Sequence, residues 1–117
     1  MIIAYIRCCT PKQQTSHQRH EIQEYADKNG LVIDRRVEET ISSRTSLKKR
    51  RLGALLEELD ENCILIATEI SRLGRSLLEV MGILQTCLAK NCQVITIKEN
   101  YHLSNNIQSQ IIDIENS

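Results

Sequence analysis

Two short segments hold the residues best suited to chemistry. Tyr5-Ile6-Arg7-Cys8-Cys9-Thr10 closes an apolar run at the start of the chain, and Ser71-Arg72-Leu73-Gly74-Arg75-Ser76 follows much later. Arg7, Arg72 and Arg75 are permanently charged, and a guanidinium binds phosphate oxygens bidentately. A thiol set among arginines favours its thiolate, which is the nucleophilic form. Cys9 is the group positioned to attack. A nucleophile and a trio of guanidinium groups around one phosphate are what cutting a phosphodiester requires, because the cations stabilise the pentacoordinate transition state. Arg72 and Arg75 sit three apart at the expected start of a helix, so both can point to one side, and a helix N-terminus itself favours an anion. The same residues also suit a plainer arrangement, with Cys8 and Cys9 ending a strand and the arginines in surface ion pairs. Spacing alone leaves both open.

The elements that must position these residues follow from hydrophobic pattern. Ile2 to Ile6 is a short β-branched run suited to a buried strand. Thr10-Pro11 can cap a helix that runs from about Gln13 to Asn29, with Ile22, Tyr25 and Ala26 on one face and Asn29-Gly30 as a left-handed C-cap. Leu31-Val32-Ile33 and Val37 suggest a second strand, and residues 41–47 a polar loop. Leu52, Leu55, Leu56 and Leu59 mark a helix from about Leu47 to Leu59, and Cys63–Ala67 a third strand. A helix after Ser71 carries Leu77, Val80, Met81, Leu84 and Leu88 as its stripe, and Val94–Ile97 forms a fourth strand. The order implies an α/β domain: a mainly parallel sheet of four to five strands flanked by helices on both faces. Functional groups gather outside the carboxyl ends of such strands. Arg7-Cys8-Cys9, the 41–46 loop and Ser71-Arg72 all fall at that edge.

Composition bounds the rest. The 117 residues make one domain, built on Leu, Ile, Val and Ala because the chain has three Tyr, no Phe and no Trp. No stretch reaches the roughly 20 apolar residues of a membrane span, and the first residues lack the basic segment of an export signal. Five cysteines without such a signal point to reduced thiols in the cytoplasm. They form no C-x-x-C pair, so a zinc site is not expected, and His17 and His20 read as solvated helix residues. Net charge is zero, from 15 basic and 15 acidic residues, so any grip on nucleic acid must come from local clustering. Arg44, Lys48, Lys49, Arg50, Arg51, Arg72 and Arg75 cluster; the acids gather in Glu38-Glu39 and Glu57-Glu58-Asp60-Glu61.

Three linked motifs resemble the catalytic domain of the serine recombinases, the resolvase and DNA invertase family. That family opens with a strand and Arg-Val-Ser-Thr, then a Gln three residues on and another five further. Here Arg7-Cys8-Cys9-Thr10 is followed by Gln13 and Gln18. The family's Asp-Arg-Leu-Gly-Arg appears as Ser71-Arg72-Leu73-Gly74-Arg75, and its intervening Ser, Arg and Leu fall on Ser43, Lys49 (with Arg50 beside it) and Leu52.

The resemblance implies a resolvase-like, flavodoxin-related topology over residues 1–103, and over 104–117 the start of a truncated dimerisation and DNA-crossing helix, with Ile107, Ile111, Ile112 and Ile114 on its apolar face. It implies site-specific recombination of double-stranded DNA through a covalent 5′-phospho-protein link. The reaction uses no metal or nucleotide cofactor and no small-molecule substrate, and the protein is a dimer that becomes a tetramer during strand exchange. Cys9 takes the nucleophile's place; Arg7, Arg72 and Arg75 would bind the phosphate; Gln13, Ser43, Lys49 or Arg50, and Ser71 would support them. The chain differs from the pattern in Cys9 for serine, Ser71 for aspartate and Lys49 for arginine, and a DNA-reading domain is not among these residues. The alternative reading is a catalytically inactive relative that acts only through subunit association. A cysteine phosphatase needs Cys-x5-Arg, but the sixth position after Cys8 is Gln14 and after Cys9 is Thr15. A response-regulator receiver needs paired aspartates after its first strand, where this chain has Arg7.

Overall fold

The computed structural model describes residues 1–10 and 15–104. Gln13, the Thr10-Pro11 cap and the helix expected over 104–117 therefore fall wholly or largely outside the described residues. Five strands form one sheet in the order β2-β1-β3-β4-β5. These are β1 (Ile2–Cys8), β2 (Arg35–Thr40), β3 (Ile64–Ala67), β4 (Gln93–Thr96) and β5 (Tyr101–Leu103). The first four run parallel and β5 returns antiparallel against β4. The helices are α1 (Thr15–Lys28), α2 (Arg51–Glu58), the single turn α3 (Ile70–Leu73) and α4 (Leu77–Ala89). Among the described residues, none of these helices is long and apolar enough to cross a membrane.

β1 is an interior strand buried on both faces, which is why its sequence reads as a continuous apolar run rather than an alternating one. Its residues still alternate in what they pack against. Ile3 and Tyr5 join Leu52, Leu55, Leu65, Ile83, Cys87 and Val94 beneath α2, α3 and α4. Ala4 and Ile6 join Ile22, Ile66 and Ile95 beneath α1. Helices thus cover both faces, as the sequence implies.

Three boundaries differ from the sequence reading, each for a tertiary reason. Leu31-Val32-Ile33 is not a strand. The Leu31 N–H returns to Ala26 O at 2.8 Å as part of the α1 C-cap, with Gly30 at φ +66°, and Val32 is exposed. Strand β2 starts only at Arg35, after the Asp34 N–H has bonded to Ile2 O. The helix expected from Leu47 to Leu59 is interrupted: a 3-10 turn spans Leu47–Lys49, and Arg50 is extended (φ −97°, ψ 151°) before α2 begins. The helix expected after Ser71 is two helices with an extended link at Gly74-Arg75-Ser76. Ser76 caps α4 by accepting the Glu79 N–H at 3.2 Å. The buried side of α4 is Val80, Ile83 and Cys87, whereas Leu77 and Met81, assigned to the apolar stripe, face outward.

Candidate active site

Arg7 is the centre of the site, and it is 4% exposed. Odd-numbered β1 residues point to the α2–α4 face, so Arg7 reaches the end of α3. Its Nε donates to Arg72 O (3.3 Å) and its Nη2 to Ser71 O (2.9 Å). Its Nη1 donates to Ile41 O (3.3 Å) and to Cys9 Sγ (3.4 Å). One side chain thus joins β1, the loop after β2 and the segment after β3, the loci that topology places at one edge. The cation lies at the carbonyl end of α3, where charge of that sign is favourable.

This corrects the expectation that Arg72 and Arg75 open a helix whose N-terminus receives an anion. Arg72 lies in the last turn of α3 and Arg75 in the extended link beyond it. Arg72 pairs with Glu69, Nε to Oε1 at 3.1 Å, on a partly exposed side chain. Arg75 is half exposed; its Nε lies 3.7 Å from Glu79 Oε2, and its Nη1 donates to Arg44 O at 3.0 Å. Ser71 contributes through its carbonyl, and its residue is exposed.

Cys9 is exposed just past the end of β1. The Arg7 hydrogen bond holds its thiol below the ordinary thiol range. Desolvation opposes this, and the charge of Arg7, a Ser43 backbone hydrogen bond and the charge of Arg72 lower it further. The site therefore makes the Cys9 thiol easier to ionise than a free one. Two other cysteines differ: burial pushes Cys87 up to about 11 and raises Cys92 as well. Cys8 is buried on the α1 side, where Gln18 Nε2 donates to its sulfur (3.3 Å) and to Arg7 O (3.0 Å).

The sequence leaves the supporting basic position to Lys49 or Arg50. Lys49 is exposed and lines a groove with Glu38, Thr40 and Arg51. Arg50 instead turns inward, its side chain fully buried. It donates through Nη2 to Tyr5 Oη (2.8 Å) and Arg72 O (3.1 Å), and through Nη1 to Glu79 Oε1 (3.4 Å). The Tyr5 hydroxyl in turn donates a hydrogen bond to Glu39 Oε2 at 2.6 Å. Burial pushes that hydroxyl well above its usual range, so it stays a neutral relay between cation and anion. Glu39 in turn accepts the Arg51 and Leu52 N–H groups (3.0 and 3.3 Å), capping α2 from a neighbouring strand.

Tyr5, Glu39, Glu69 and Glu79 are site residues that sequence reasoning missed. Glu79 was the most legible, because it lies four residues after Arg75 on helical spacing. Glu39 gave no comparable sign, because its place opposite Arg7 is set by the β1–β2 register. Gln13 lies outside the described residues.

The molecule is an α/β domain with an arginine-supported thiol at the carboxyl edge of its parallel strands. It belongs to the resolvase N-terminal domain family, whose model matches residues 2–116. It is 26% identical over 102 residues to a resolvase of Clostridium perfringens (strain 13 / Type A), covering 86% of this chain and 51% of that protein. The chain spans about half the length of the curated relative it matches. In fold it is similar to the N-terminal catalytic domain of TP901-1 integrase (TM-score 0.74, 14% identity, 97% of this chain and 90% of that one). It is also similar to a resolvase family site-specific recombinase from Streptococcus pneumoniae (0.72, 18%, 98% and 87%). A third similar structure is the C-terminal catalytic domain of ISC1926 TnpA, an IS607-like serine recombinase (0.67, 17%, 82% and 67%).

Proposed function

We propose that this chain is the catalytic domain of a site-specific recombinase that cuts and rejoins double-stranded DNA through Cys9. The observation that carries the reading is the Arg7 Nη1 to Cys9 Sγ hydrogen bond at 3.4 Å, on the exposed member of the five cysteines. The Cys9 thiolate attacks phosphorus, an S–P bond forms and the P–O3′ bond breaks. The leaving 3′ oxygen keeps the electron pair and takes a proton from water, giving a 5′-phosphothioester and a 3′-hydroxyl. Religation is the reverse, with the 3′ oxygen attacking and sulfur leaving as thiolate. Arg7 holds the nucleophile, while Arg72 and Arg75 exchange Glu69 and Glu79 for the phosphate oxygens and carry the developing charge. Arg50, Ser43, Ser71 and Gln13 support the site.

In this reading residues 1–103 are the catalytic unit and 104–117 begin a helix shared between subunits. Leu77, Leu78 and Met81, 77%, 82% and 56% exposed, suit a chain that works as a homo-oligomer. The protein then acts in the cytoplasm, where thiols stay reduced.

The test is covalent capture. Wild type, Cys9→Ser and Cys9→Ala are each incubated with a nicked duplex pool of degenerate sequence, and denaturing gels read the protein–DNA adduct. An adduct with wild type that Cys9→Ala abolishes supports the reading. An adduct with Cys9→Ser alone overturns sulfur as the nucleophile. No adduct with any of them favours the subunit that acts only by association.

A further inference from the structure

Where the resemblance led us to expect an aspartate, this chain has Ser71, whose side chain brings no charge to the arginines. The orienting carboxylate comes from elsewhere. Glu79 Oε1 accepts the Arg75 backbone N–H at 3.2 Å and Arg50 Nη1 at 3.4 Å, and its Oε2 lies 3.7 Å from Arg75 Nε. Glu79 is itself fixed by its N–H bond to Ser76 Oγ. Gly74 leaves room for it, since a Cβ there would sit 3.2 Å from Oε1. So held, Arg75 donates through Nη1 to Arg44 O at 3.0 Å. Arg44 belongs to the turn closed by Thr45 N–H to Ser42 O (3.0 Å) and Arg44 N–H to Ser42 Oγ (3.2 Å). That turn follows Ile41, whose N–H bonds to Cys8 O at 2.7 Å and whose carbonyl shares Arg7 Nη1 with the Cys9 sulfur, and the Ser43 backbone bond lowers the Cys9 thiol.

We propose that Glu79 is a positioning residue for Cys9, acting through Arg75 and the turn at residues 42–45. The inference rests on Cys9 being the working nucleophile, but it concerns the thiol alone, so its test needs no DNA. A failure to capture DNA and a failure of this inference are therefore separate results.

Charge alone and positioning have opposite signs here. The groups facing the sulfur are Arg7 from β1 and Arg72 from α3; those facing Glu79 are Arg50 and Arg75. Removing an anion from this neighbourhood by Glu79→Gln favours the thiolate by Coulomb's law. Loosening the turn withdraws the Ser43 backbone bond and disfavours it. Iodoacetamide alkylation of Cys9 against pH, followed by peptide mass, reads the difference, because the remaining cysteines are buried. In Glu79→Gln the apparent thiol pKa rises by about half a unit to one unit, which slows alkylation about three- to tenfold below it. Arg75→Lys keeps the charge but loses the planar fork that spans Glu79 and Arg44 O, and gives the same direction of shift. Circular dichroism checks the fold of each variant. An unchanged or lowered thiol pKa in folded Glu79→Gln overturns the proposal, as does an unchanged value in Arg75→Lys. The second variant decides alone if the first fails to fold.

Discussion

At the scale of single residues, the site stands on a buried ionic chain, Glu39–Tyr5–Arg50–Glu79. A buried cation is tolerated only with partners in good geometry, and Arg50 has a carboxylate, a hydroxyl, a carbonyl and the Tyr5 ring, whose centroid is 5.8 Å away. The Tyr5 hydroxyl serves both ends, accepting from the cation and donating to the anion. Tyr5→Phe keeps the ring and its packing but leaves a guanidinium N–H and a carboxylate oxygen each short of one bond. The expected loss is about 1–3 kcal/mol, read as a lower urea midpoint at constant slope. A midpoint unchanged from wild type would show that Arg50 and Glu39 do without the relay. Arg7 and Cys9 were legible in the sequence because their chemistry is unusual at a strand end. Tyr5 was not, since one aromatic in an apolar run reads as core, and only its partners, 34 and 45 residues away, give the hydroxyl a purpose.

At the scale of elements, apolar periodicity located the helices and missed the places where they break. Leu52, Leu55 and Leu56 are the buried face of α2, as their spacing implied. The break at Arg50 follows from turning its guanidinium into the core, which no local propensity records. The break at Gly74–Ser76 likewise depends on Glu79 bonding back to the Arg75 N–H. Gly53 marks the first break sterically. A Cβ on it would overlap the carbonyl oxygen of Leu47, the first residue of the 3-10 turn. Helix propensity favours Ala over Gly by about 1 kcal/mol, whereas forcing a methyl into a filled space costs about 1–3 kcal/mol. Gly53→Ala is therefore expected to lower Tm despite the better helix former. Gly82 in α4 is the control, for a Cβ there meets nothing within 4 Å. Gly82→Ala should raise Tm by the propensity gain alone, and a rise in both variants would mean that the Leu47–Gly53 approach relaxes without cost.

At the scale of the whole molecule, the parallel order of β1 to β4 explains how a chain of zero net charge can face a polyanion. Each helical crossover carries the chain from the carboxyl edge of one strand to the amino edge of the next. Glu57, Glu58, Asp60 and Glu61 end such a crossover before β3 and lie at the amino edge. Arg44, Arg72 and Arg75 sit in the loops and the short helix of the carboxyl edge, beside Arg7 and Cys9. The separation is partial, since Glu39, Glu69 and Glu79 share the carboxyl edge, where Tyr5, Arg72, Arg50 and Arg75 engage them. The edge of each loop was legible once the element order was known, because alternation of strand and helix fixes it. The consequence is electrostatic. Binding to a duplex releases about 0.9 counterion per phosphate neutralised, so contacts from Arg44, Arg72 and Arg75 give a plot of log affinity against log salt with a slope of about −3. Fluorescence anisotropy of a short labelled duplex measures it. Arg75→Ala should flatten the slope by about one, while Glu57→Gln with Glu61→Gln on the far edge should leave it as it is. Acids more than a Debye length away, about 10 Å at 0.1 M salt, are screened from the phosphates. If Arg75→Ala left the slope intact while the acid variants changed it, the duplex would lie against the amino edge, and Cys9 would be out of its reach.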